Sequence, residues 1–119
     1  MSVSMNDVRR ALDPEEPNYA GAAKLGADAL PHLRALVAGK DVMLASKAAY
    51  AASLLEGATG EEVVGAAARS RDPILRVAAA AAARNLPPDT ARVVLAKLAK
   101  DDDPGIRRVA RASSPKDVG

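Results

Sequence analysis

Asp72-Pro73-Ile74-Leu75-Arg76-Val77-Ala78-Ala79 decides the fold, because it returns 31 residues later as Asp103-Pro104-Gly105-Ile106-Arg107-Arg108-Val109-Ala110. Aspartate followed by proline opens a helix. The carboxylate accepts hydrogen bonds from free amides of the first turn, and proline at the first helical position loses none. The same period runs outward: Asp41 precedes Asp72 by 31 residues, and Leu33/Val64/Leu95, Leu36/Ala67/Leu98, Leu44/Leu75/Ile106 and Ala48/Ala79/Ala110 keep it. Several residue classes recurring at one period predict a stack of small helical units that bury their apolar faces on one another.

Each unit divides into an A and a B helix. In the second, Thr59 and Glu62 have capping-box spacing, which predicts A2 from about Gly60 to Ser70. B2 opens at Asp72-Pro73, runs through the alanines to about Leu86 and is stopped by Pro87-Pro88. A3 is expected from about Asp89 to Lys100, and B3 from Asp103-Pro104 to about Ala112. The first unit is looser, with A1 near Ala29–Ala38, Gly39 as its stop and B1 from about Val42 to Leu55. Upstream, Met5–Leu12 and Asn18–Leu25 read as a shorter pair out of register, the kind of cap a terminal repeat carries. The expected layout is one domain over 1–119: a helical pair at 4–27, repeats at 28–57, 58–86 and 87–112, and a polar tail at 113–119. With no helix expected after B3, Leu95, Leu98, Ile106 and Val109 are expected to be only partly covered.

Composition sets the chemistry. Apolar residues make up 49% of the chain while aromatics are 2%, so the apolar content is largely alanine, and stability must come from repeats packing on their neighbours. Residues 1–60 hold 6 Lys/Arg against 7 Asp/Glu and residues 61–119 hold 11 against 8, too small an excess to announce a nucleic-acid binder. The chain lacks cysteine, so no disulfide or thiolate site is expected. No apolar run is long enough for a membrane span and the start has no signal-peptide pattern, so a soluble, cytoplasmic protein is expected.

Ala22-Ala23-Lys24-Leu25-Gly26-Ala27-Asp28-Ala29-Leu30-Pro31-His32-Leu33-Arg34-Ala35-Leu36 resembles the "A-x-x-L-G … A-L/V-P-x-L-x-x-L" run of HEAT-like repeats. The two Asp-Pro stretches resemble that family's "D-P-x-V-R-x-x-A". The similarity covers roughly residues 18–112, with a period closer to the short bacterial form also found in phycobilisome lyase-type proteins. It implies an all-α fold, a right-handed α-solenoid of antiparallel helix pairs, in a group made mostly of adaptors and scaffolds. The first unit departs from the motif, with Val42 for the proline and Ala45 for the arginine, so an Asp–Arg ladder should weaken there.

Asp41, Asp72, Arg76, Asp103 and Arg107 recur with the repeat and read as that structural ladder rather than as a charged active site. The single histidine, His32, has no cysteine or second histidine to share a metal with, and Asp101-Asp102-Asp103 lacks the glycine-bearing loop of a calcium site. No catalytic residue, metal or cofactor is expected, and the chain does not read as an enzyme. If Leu44, Ala48, Ala51 and Leu55 face the core, then Ser46, Tyr50 and Ser53 fall on another face of B1, and Val77, Ala81, Arg84, Arg108 and Ala112 correspond to them in B2 and B3. The resemblance implies that the B helices line a concave side, which makes Tyr50, Arg84, Arg108, Ser46 and Ser53 the candidate partner-binding residues. The expected function is a protein–protein interaction module that binds a peptide or helix on the B-helix surface or docks through its C-terminal end, where it could also self-associate. The alternatives are a nucleic-acid-binding module using Arg76, Arg84, Arg107, Arg108 and Arg111, and a lyase-type accessory factor to an enzyme.

Overall fold

Aspartate caps set the helix starts. Asp41, Asp72 and Asp103 have extended backbones, and their carboxylates accept from the amides of Leu44, Ile74, and Gly105 with Ile106, respectively. They open α4 (Val42–Ala52), α6 (Pro73–Ala82) and α8 (Pro104–Ser113). Ser4 and Asp7 cap α1 (Met5–Leu12) reciprocally, and the Asn18 side chain caps α2 (Tyr19–Ala23). The remaining helices are α3 (Leu30–Val37), α5 (Glu61–Ala68) and α7 (Pro88–Leu98). This computed structural model describes residues 2–57 and 59–115, all helix and connecting turns with no strand among them. The tail expected at 113–119 lies outside the described residues from 116 onward.

Several boundaries differ from expectation for local reasons. The Thr59–Glu62 capping box does not form: Gly60 is the N-cap of α5 without a side-chain bond, and the Glu62 carboxylate is drawn away to accept from Arg34 Nε at 3.1 Å. A β-carbon on Gly60 would collide with the Ala52 carbonyl, so only glycine allows α5 to start this close to the end of α4. B1 ends three residues early, at Ala52, where the Ser53 hydroxyl donates to the Tyr50 carbonyl at 2.6 Å. Pro87-Pro88 both ends one helix and starts the next, since Pro88 is the first residue of α7. Ser113, expected in the tail, is the last and buried residue of α8. A 3-10 turn at Gly26–Ala29 leads into α3, with Gly26 at φ +67° beside the Glu56 carbonyl.

The helices pack in two rows. α3, α5 and α7 contact one another in order, α4, α6 and α8 do the same, and each of α3, α5 and α7 also packs on the helix that follows it. All the repeat-related apolar residues are buried except Leu36, which is half-buried. Ala48, Ala79 and Ala110 are fully enclosed, which fits the close approach of small-residue helix faces. α4 is buried on most sides because it packs against α1, α2, α3, α5 and α6.

The N-terminal pair is tied on by specific bonds. Glu56 N donates to the Ala23 carbonyl at 3.0 Å, Lys47 Nζ to the Pro14 carbonyl at 3.1 Å, and His32 Nε2 bonds the Val3 carbonyl at 2.7 Å. At the other end, the expected half-covered patch is corrected: α7 and α8 pack on each other and on α5 and α6, so Leu95, Leu98 and Ile106 are buried and Val109 alone of the four is half-buried. The strongly exposed apolar side chain in that repeat is Val93, at 76%. Among the described residues no helix is long and apolar enough to cross a membrane.

Candidate interaction site

Four of the five residues expected on a B-helix surface have separate local engagements, and Arg108 has none among the described residues. Tyr50 is half-buried and its ring lies 5.0 Å from that of Tyr19 at 58°, a tilted pair that fastens α2 to α4. Ser46 Oγ donates to the Val42 carbonyl at 2.8 Å. Ser53 is buried, donating to Tyr50 O and accepting from Asn85 Nδ2 at 3.1 Å. Arg84 is exposed, with Nε on the Ala81 carbonyl at 3.1 Å, and Arg108 is exposed on α8. Ser53 lines a cavity of about 390 Å³ with Asn85 and Leu86, while Tyr50, Arg84 and Arg108 line neither that cavity nor those described below.

The charged ladder is built differently from its sequence reading. Arg76 reaches the next unit, where Asp101 rather than Asp103 receives it: Nε to Oδ2 at 2.9 Å and Nη2 to Oδ1 at 3.3 Å. Its Nη1 donates to the carbonyls of Ser70 and Arg71, both at 3.0 Å. One repeat later Arg107 Nη1 makes the equivalent bond to the Asp101 carbonyl. Asp103 serves only as the cap, and Asp101 Oδ1 also accepts from Asp103 N at 3.0 Å, as Ser70 Oγ accepts from Asp72 N at 3.1 Å. These bonds hold the Asp101 carboxyl below the ordinary carboxylate range; the Asp103 amide contributes most, the Arg76 guanidinium adds to it, and burial opposes both. In the first unit the equivalent positions are Gly39 and Ala45, which supply neither side chain.

The row of turns joining A to B helices, around residues 38–41, 69–72 and 99–103, is grooved. A cavity of about 460 Å³ opens between the first and second units, and another of about 460 Å³ between the second and third. They occupy equivalent places in the repeat. Val37/Ala68, Ala38/Arg69, Gly39/Ser70, Ala45/Arg76, Ala66/Lys97, Arg69/Lys100 and Ser70/Asp101 line the two at a constant offset of 31 residues. The first groove reaches down to Val42 and Leu75; their equivalents do not line the second, where Arg76 stands in place of Ala45.

A third cavity, about 450 Å³, runs along the outer faces of α5 and α7 over Gly65, Ala68, Val93 and Val94, with Glu61 and Glu62 at its edge. Arg69 lines all three cavities, and Lys97 lines two. Arg69 is exposed and its side chain has no hydrogen-bonding or ion-pair partner among the described residues. Sequence reasoning passed over it. The available signal was the pair Arg69/Lys100, cations one period apart at the ends of successive A helices, where the helix dipole favours positive charge.

No group of three or more His, Cys, Asp or Glu side chains converges to hold a metal among the described residues. Compared with known proteins, the chain matches no family model, no curated protein and no solved structure.

Proposed function

We propose that this chain is a short α-solenoid of HEAT-like repeats acting as a non-catalytic, cytoplasmic protein-binding module, and that the turn edge centred on Arg69 holds a segment of its partner. One observation carries the reading: a groove lined at equivalent positions recurs at two successive repeat junctions, and both grooves and the apolar one on α5 and α7 meet at Arg69. A periodic row of grooves suits a chain-like ligand, whose own side chains recur along its length, better than a compact small molecule. The B-helix candidates offer less support, because Tyr50, Ser46 and Ser53 are occupied in holding helix ends and the N-terminal pair.

The test is a random-peptide display selection against the immobilised protein, with each enriched peptide re-measured against Arg69→Glu. Arg69 is exposed and unpaired, so this variant should keep its helicity. The reading expects enriched peptides that lose most of their binding to the variant. Failure to enrich any peptide, or enrichment of peptides indifferent to Arg69 and lost with Arg84→Glu or Arg108→Glu, would overturn it.

A further inference from the structure

Resting on the reading that the turn edge binds a segment of a partner, we propose that the segment is acidic and extended in the polyproline II conformation, laying one carboxylate into each groove from positions three residues apart. Charge comes first. The first groove is lined by three cations and one carboxylate, and the second by four cations and two carboxylates. Internal partners take part of this: Glu62 engages Arg34, Asp101 engages Arg76, and the Asp72 carboxylate accepts from Ile74 N. Lys40 and Arg69 at the first groove, and Lys97 and Lys100 at the second, are exposed and make no side-chain bond among the described residues. A carboxylate entering either groove therefore meets unpaired cations, and an entering cation meets repulsion.

Spacing selects the conformation. Packed helices lie about 8–10 Å apart, so grooves at successive junctions do too. Polyproline II brings a side chain back to the same face every three residues, about 9.3 Å at 3.1 Å per residue. A β-strand returns at roughly 6.6 Å or 13 Å, out of step with the grooves. An α-helix returns at about 5–6 Å and about 10.5 Å, and at about 10–12 Å wide it would ride over the turns instead of entering between them. The first groove also has an apolar floor of Val42 and Leu75, suited to a proline ring or an aliphatic stem. A nucleic acid fits less well. The two tyrosines available for base stacking are engaged with each other away from the grooves.

The experiment is fluorescence anisotropy at moderate salt with three labelled twelve-residue peptides and one oligonucleotide. The peptides are four Glu-Pro-Pro triplets, the same composition with its glutamates contiguous, and four Lys-Pro-Pro triplets; the oligonucleotide is twelve thymidylates. The Glu-Pro-Pro peptide should bind about tenfold tighter than its contiguous isomer, and the lysine peptide should not bind. Arg69→Glu and Lys100→Glu should each weaken binding about fivefold or more at unchanged helicity and thermal midpoint, while Lys24→Glu, outside the grooves, should leave it unchanged. Equal affinity for the two isomers, tighter binding of the oligonucleotide, or indifference to both groove variants overturns the proposal. If display selection instead yields non-acidic peptides that still depend on Arg69, the acidic segment is wrong while the binding module stands.

Discussion

Replacing Arg76 with alanine removes a side chain that ties the second unit to the third through hydrogen bonds on both sides of the junction. Four bonds go: two to the Asp101 carboxylate and two to the Ser70 and Arg71 carbonyls. The side chains of Arg76 and Asp101 are 21% and 11% exposed, so the pair lies between two limits. Exposed pairs contribute about 0–1 kcal/mol, and breaking a buried one costs about 3–5 kcal/mol. A loss of about 2–3 kcal/mol is expected, because Asp101 keeps the Asp103 amide as a partner. For a domain of this size that lowers the thermal midpoint by roughly 8–15 °C. Urea unfolding followed by circular dichroism gives the free energy, and a cycle with Asp101→Asn should return a coupling of about 1 kcal/mol or more. Arg34→Ala is the comparison, since its partner Glu62 is 74% exposed, and it should cost no more than about 0.5 kcal/mol. A loss from Arg76→Ala no larger than that of Arg34→Ala, or a coupling near zero, would refute the reasoning.

Gly60→Ala drives a β-carbon into the Ala52 carbonyl and should cost about 2–4 kcal/mol in urea unfolding; Gly65→Ala, which meets only an arginine side chain at 3.3 Å, should gain up to about 1 kcal/mol through helix propensity. Ala45→Arg with Ser70→Asp rebuilds the ladder in the first groove, and the double variant should be more stable than the sum of its single variants by about 1 kcal/mol in the same assay. Asp101 also sets a pH dependence. Its carboxyl is depressed in the folded protein relative to an unfolded value near 3.9, so its stabilisation is complete above about pH 4 and disappears as pH falls through the folded value. Asp101→Asn should lose stability at neutral pH and flatten the stability profile across that acid range, as measured by unfolding at stepped pH.

The repeat made much of the fold legible in advance. An aspartate at a helix N-cap followed by proline is a local device, and so is an apolar position recurring at a fixed period; both can be read along one dimension. Asp41, Asp72 and Asp103 are the caps, and the four periodic apolar sets fall in the core apart from Leu36. What escaped depends on distance across the chain. Glu62 left its capping box because Arg34, 28 residues away, offered a charged donor. Arg76 pairs with Asp101 across the junction, while the carboxylate of Asp103 caps α8 through Gly105 N and Ile106 N. Tyr50 looked like a projecting anchor because Tyr19 lies in the irregular N-terminal pair, where no period announces a contact. The grooves are a further step removed. They form between residues of successive units, and their cations look in sequence like ordinary charges at helix ends.

Amide chemical-shift mapping during titration with the Glu-Pro-Pro peptide tests the central claim most directly, because it reports which surface is touched without altering the protein. The account predicts that Gly39, Lys40, Ser70, Arg71 and Asp101, all on the turn edge, move first and saturate together. Shifts confined to Ser46, Tyr50, Arg84 and Arg108 on the B helices, with the turn amides unmoved, would contradict it.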